Sequence, residues 1–144
     1  MPEQTKRVGG VIVTHGHLAS ELLAAAETII GSILHINAIS IGWHDDVDTA
    51  REEIERCIAQ VSHGRGVLIL TDMFGGTPTN IASMFLVDGK VEVVTGVNLP
   101  MVIRLANQTE SETLAEVAHT VMEQGREAIY LAGDLLKPTK AASK

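Results

Sequence analysis

One cysteine, Cys57, is the entire thiol content of this 144-residue chain. It excludes an intramolecular disulfide framework and any cysteine-rich zinc site. Its place in an amphipathic helical pattern predicts a buried structural thiol. Aromatics are nearly as scarce: one Trp, one Tyr and two Phe make up 3% of residues, while hydrophobic residues make up 45%. The core must therefore be built from Val, Ile, Leu and Ala, as in many α/β proteins. Positive charge is thin as well. Eleven Lys+Arg stand against 18 Asp+Glu, for a net charge of -7, and no basic cluster marks a nucleic-acid footprint. No apolar run reaches transmembrane length, and the short apolar stretch after the polar residues Met1 to Arg7 is too brief for a secretory signal. These absences predict a cytoplasmic protein that meets a membrane only through a partner. The length suits one domain over residues 1–144, with a core of about 8–136 and a polar tail over 137–144.

What is present alternates between two periods. Val8 to Val13 reads as a buried strand that stops at Thr14-His15-Gly16-His17. Leu18, Leu22, Ala25, Ala26 and Ile29 then share one helical face, with Gly31 as the stop. Ile33 to Ile41 reads as a second strand, followed by a loop with Trp43 and His44. Val47, Ala50, Ile54, Cys57, Ile58 and Val61 form a second helical stripe, with Thr49 and Glu52 spaced as a capping box. Val67 to Leu70 is a third strand. A short helix follows to about Val87, with Pro78 at its first position. Val91 to Thr95 is a fourth strand, and Pro100 opens another short helix. Thr109 and Glu112 are spaced as a second capping box, ahead of a stripe from Leu114 to Met122 that Gly125 ends. Ala128 to Ala132 reads as a short last strand or a helical turn.

Strands alternating with helical stripes predict βαβ units and a small doubly wound α/β fold, a parallel sheet with helices on both faces. In strand order 2-1-3-4 the first and third strands lie side by side, and ligands sit beyond their carboxyl ends. Topology then brings Thr14-His15-Gly16-His17 to Asp72-Met73-Phe74-Gly75-Gly76-Thr77. A carboxylate that takes the proton of one imidazole nitrogen leaves the other nitrogen with a free lone pair. The glycine-rich turn at a helix start supplies amides, and Thr77 a hydroxyl, for phosphoryl oxygens. His15 is thereby the candidate nucleophile and Asp72 its orienting group. His35, His63 and His119 have ordinary structural readings, whereas His44 and His17 border the predicted site.

With Thr14-His15-Gly16, Asp72-Met73-Phe74-Gly75-Gly76-Thr77-Pro78 with Asn80, and Gly96-Val97-Asn98-Leu99-Pro100-Met101 in order at strand ends, the chain resembles the enzyme IIA component of the mannose-family sugar phosphotransferase system. The resemblance covers about residues 8 to 138. It implies that His15 accepts a phosphoryl group on Nε2 from the phosphocarrier HPr and passes it to a IIB component on a separate chain. Thr14, Gly75, Gly76 and Thr77 would hold the phosphoryl oxygens, with His17, Phe74 and Asn98 on the rim, and no cofactor is called for. It also implies a homodimer in which Ala128 to Ala132 crosses as an antiparallel edge strand. Thr77 stands where serine is more usual, and His17 departs from the family pattern.

Other chemistries remain open on the residues alone. A Walker-type NTPase would need a lysine after the glycines. An aspartate-accepting receiver would need acids after the first strand. A metal-dependent hydrolase could use His15, His17 and Asp72, and a regulatory module could sense phosphorylation without a transport role.

Overall fold

Successive side chains of a strand point to opposite faces, so an unbroken apolar run must be buried on both sides. The computed structural model describes residues 6–42 and 46–137 and meets that demand with a layered α/β arrangement. The elements run β1 (Gly9–His15), α1 (Leu18–Ile30), β2 (Ile36–Ile41), α2 (Val47–Val61), β3 (Val67–Thr71), α3 (Gly76–Ser83), β4 (Val91–Thr95), α4 (Leu99–Ala106), α5 (Leu114–Glu127) and α6 (Ala132–Leu135). The four strands are parallel in the order β2-β1-β3-β4. Ile12, Leu68, Leu70 and Val94 face α1, α4 and α5 in one core. Val11, Val13, Ile39 and Ile69 face α2 and α3 in the other. Side-chain volume limits how closely these layers pack. A Cβ on Gly10 would come within 2.7 Å of Leu105 Cδ2, so this glycine lets α4 approach the middle of the sheet.

Several element ends differ from the sequence reading, each for a local reason. Asp46, extended at φ -72° and ψ 134°, caps α2 by accepting from the Thr49 amide, in place of a Thr49–Glu52 box. The complete capping box is Thr113–Glu116, at the start of α5. Glu112 does accept from the Thr109 amide at 2.8 Å, but it fixes a turn before the helix and pairs with Arg104 at 3.2 Å. α3 begins at Gly76, which puts Pro78 third in the helix, and it ends at Ser83. Val87 instead forms an isolated antiparallel bridge with Val91. Gly125 lies inside α5 and ends nothing: a Cβ there would sit 2.5 Å from Met101 Sδ, so its role is the close crossing of α5 over α4. The second strand starts at Ile36, and Ile33 before it is buried with its amide on Glu27.

The expected antiparallel edge strand is absent from the described residues of this single chain. Residues 128–131 are irregular and lead into α6. Ile129, Tyr130 and Leu131 are exposed by 76%, 66% and 71%, and β4 is left as an open edge. Cys57 is half-buried, where the sequence predicts a buried thiol, and burial pushes its thiol up. The loop residues Trp43 and His44 lie outside the described residues, as does the tail after Lys137. Among the described residues, no helix is long and apolar enough to cross a membrane.

Candidate active site

The register of two neighbouring strands builds the site. Val13 of β1 pairs with Thr71, the last residue of β3, so His15 and Asp72 leave the sheet together. One oxygen of Asp72, Oδ2, accepts from the His15 amide at 3.0 Å and lies 2.8 Å from His15 Nδ1. The carboxylate thereby selects the tautomer with hydrogen on Nδ1 and leaves Nε2 as the nucleophilic nitrogen. His15 is half exposed at 51%, whereas Asp72 is only 14% exposed. Burial alone would push the Asp72 carboxyl up. Hydrogen bonds from the His15 amide and ring, with the ring's charge, outweigh that and hold it below its ordinary range. The second oxygen, Oδ1, is buried without a hydrogen bond.

Opposite the free nitrogen stands the start of α3. Gly75 and Gly76 both take φ +82°, a left-handed conformation that L side chains rarely adopt. Gly76 also clears space: a Cβ there would lie 3.3 Å from His15 Cε1 and 3.6 Å from Nε2. No side chain caps α3, so its first amides remain available. Thr77 follows Gly76 on the exposed first turn.

The other predicted residues occupy different roles. Thr14 is fully buried and its hydroxyl accepts from the Ala19 amide at 2.7 Å, so it fastens the start of α1. His17 occupies the capping position of α1 with an exposed ring, and its carbonyl accepts from Glu21. Asn98 caps α4 and donates to the Gly125 carbonyl at 3.1 Å. Phe74 is 85% exposed. Asn98 and Phe74 share a groove of about 470 Å³ with Leu86, Met122 and Ile129 along β4, and His15 does not line it.

Thr79 is a contributor that the sequence reading missed. Its buried hydroxyl bonds the Met73 carbonyl at 2.5 Å and the Thr71 hydroxyl at 2.7 Å, tying both flanks of Asp72 to α3. A second hydroxyl two residues after Thr77 is the only hint the sequence offers. Among the described residues, no group of three or more His, Cys, Asp or Glu is placed to hold a metal, so His15, His17 and Asp72 do not form the cluster a hydrolase would need.

The chain as a whole is similar to known proteins. The mannose-specific EIIAB component of Escherichia coli K12 is 34% identical over 121 residues, which cover 83% of this chain and 38% of that protein. The chain thus spans well under two thirds of that relative. The fructose-specific EIIA component of Bacillus subtilis is 24% identical over 93% of this chain and 92% of its own length. Among solved structures, a mannose/sorbose-specific IIA subunit from Enterococcus faecalis superposes with a TM-score of 0.77 at 26% identity, covering 87% of this chain and 94% of its own. Residues 9–122 match the family model EIIA-man, described as PTS system fructose IIA component. The chain belongs to this family of phosphotransferase-system IIA components.

Proposed function

We propose that His15 carries a phosphoryl group between HPr and a IIB component of a sugar phosphotransferase system. The observation that carries this reading is the 2.8 Å contact between His15 Nδ1 and Asp72 Oδ2, which leaves Nε2 free beside Gly76. In the transfer, the Nε2 lone pair bonds to phosphorus while the bond from phosphorus to the donor breaks. The departing electron pair leaves with the donor. Asp72 stays ionised and stabilises the positive character of the phosphorylated ring, and the amides of Gly76 and Thr77 receive the phosphoryl oxygens. The second transfer repeats the step with His15 as leaving group. No further protonation of the ring is required before attack, because the hydrogen stays on Nδ1, which donates to the ionised Asp72 carboxylate, and Nε2 keeps its lone pair.

Incubation with phosphoenolpyruvate, enzyme I and HPr is expected to label the chain once, in an acid-labile and alkali-stable bond. The His15→Ala variant is expected to take up none, and full labelling of that variant would overturn the assignment. We further propose that two copies associate through Ile129-Tyr130-Leu131 and the open β4 edge. The three exposed apolar residues and the unpaired strand support that reading. Light scattering is expected to give twice the chain mass, and a monomer at all concentrations would refute it.

A further inference from the structure

The pole of the sheet opposite His15 carries a second feature. Arg7, His35 and His63 precede β1, β2 and β3, and because β2, β1 and β3 are parallel neighbours these residues meet at one end. They line a cavity of about 500 Å³ together with Ser32 and Asn107. That volume falls in the range of small-molecule sites. Among the described residues no Asp or Glu lines it, in a chain whose net charge is -7. Among the described residues, no carboxylate forms an ion pair with Arg7, His35 or His63.

Helix carboxyl ends explain part of this. Arg7 Nη1 donates to the Ala106 carbonyl at 3.0 Å, an ordinary use of a cation at the end of α4. One bond uses one of five guanidinium hydrogens, however, and it gives no reason for two imidazoles beside it. Burial, then the Arg7 charge, with His63 adding to them, holds the His35 ring below its usual range, although the Leu105 carbonyl pulls the other way. His35 Nε2 is itself buried without a hydrogen bond of normal geometry. An anion among the three groups would meet the Arg7 charge, which no described carboxylate pairs with, and would offer an acceptor to His35 Nε2. The backbone beside Arg7 is tied to the end of α4: the buried Gln108 side chain bonds Val8 N at 2.6 Å, Val8 O at 2.9 Å and Leu105 O at 2.8 Å. A site fixed before binding loses less entropy when it is filled.

We propose that this cavity is a second anion site, separate from His15, that holds a small phosphate-bearing molecule between Arg7, His35 and His63. Phosphate suits it because a guanidinium fork matches two oxygens and the imidazoles offer further donors to a dianion. The groups facing the anion are Arg7, His35 and His63, with Ser32 and Asn107 as neutral neighbours.

The test is a titration of the isotopically labelled chain with inorganic phosphate, with glycerol 3-phosphate and with succinate, followed by amide and imidazole resonances. Both phosphates are expected to give saturable shifts at Arg7, His35, His63 and Asn107, and the titration midpoint of the His35 ring is expected to move up. Stronger response to glycerol 3-phosphate than to phosphate would assign an organic ligand, and equal response would assign the phosphate group alone. Arg7→Gln is expected to weaken binding by about tenfold or more, since it removes a charge-assisted pair. Should that variant not fold, His63→Gln, on an exposed loop, is expected to weaken binding several-fold. Shifts confined to Gly75, Gly76 and Thr77, equal binding of succinate, or unchanged affinity in the folded variants would each overturn the proposal.

Discussion

His15 and Asp72 are joined twice through a single oxygen: Asp72 Oδ2 bonds both the ring Nδ1 and the backbone amide of His15. The carboxylate therefore fixes the ring's tautomer and the position of the residue that carries it. Replacing Asp72 with Asn keeps the volume and removes the charge. Phosphoryl transfer to His15 is expected to slow by about a hundredfold or more, the lower end of the range for loss of an acid–base partner. Far-ultraviolet circular dichroism should be unchanged. Wild-type transfer rates in a folded Asp72→Asn protein would show that the carboxylate is not the ring's functional partner.

The same carboxyl also links the site to acid stability. Its folded pKa is depressed, so the stabilisation it contributes is complete above the ordinary carboxylate range and is lost as pH falls through the folded value. Denaturant midpoints measured from neutral pH down to about pH 3 are expected to fall less steeply in Asp72→Asn than in the wild type. Parallel curves would contradict this sign.

Gly75 and Gly76 share a φ of +82° but differ in surroundings. Alanine at either is expected to cost about 1–3 kcal/mol because of the positive φ. A Cβ at Gly75 would meet nothing within 4 Å, whereas one at Gly76 would press on His15. Gly76→Ala is therefore expected to abolish labelling, while Gly75→Ala retains it with a lowered melting temperature. Equal labelling of the two variants would remove the steric role of Gly76.

Thr79→Val replaces a buried hydroxyl by a methyl of similar size. It leaves the Met73 carbonyl and the Thr71 hydroxyl without their partner and should destabilise the chain by about 1–3 kcal/mol. Transfer to His15 is expected to slow as well, because both flanks of Asp72 loosen. Thr79→Ser, which keeps the hydroxyl, should recover the transfer rate even if some stability stays lost.

The strand order and the meeting of His15 with Asp72 were legible in the sequence because both follow from period and topology. Val11 and Ile12 had to face opposite layers, and parallel strands had to end at one edge. Positions set by local competition were not legible. Asp46 outcompeted Thr49 as a cap because α2 starts earlier than the spacing of charges suggests. Gly125 imitated a helix stop because the need for a small residue under Met101 is a tertiary fact. Thr14 matched a motif, yet its hydroxyl was claimed by the amide of Ala19, the second residue of the following helix.

The pairing of Val13 with Thr71 has a further consequence. A slip of one residue between β1 and β3 would displace Asp72 by about 3.3 Å and reverse the faces of a whole strand. The imidazole would survive such an error intact but would lose both bonds to its carboxylate. Chemical competence at His15 is thus a readout of assembly at the centre of the sheet. A misregistered chain would carry every required residue and still be silent.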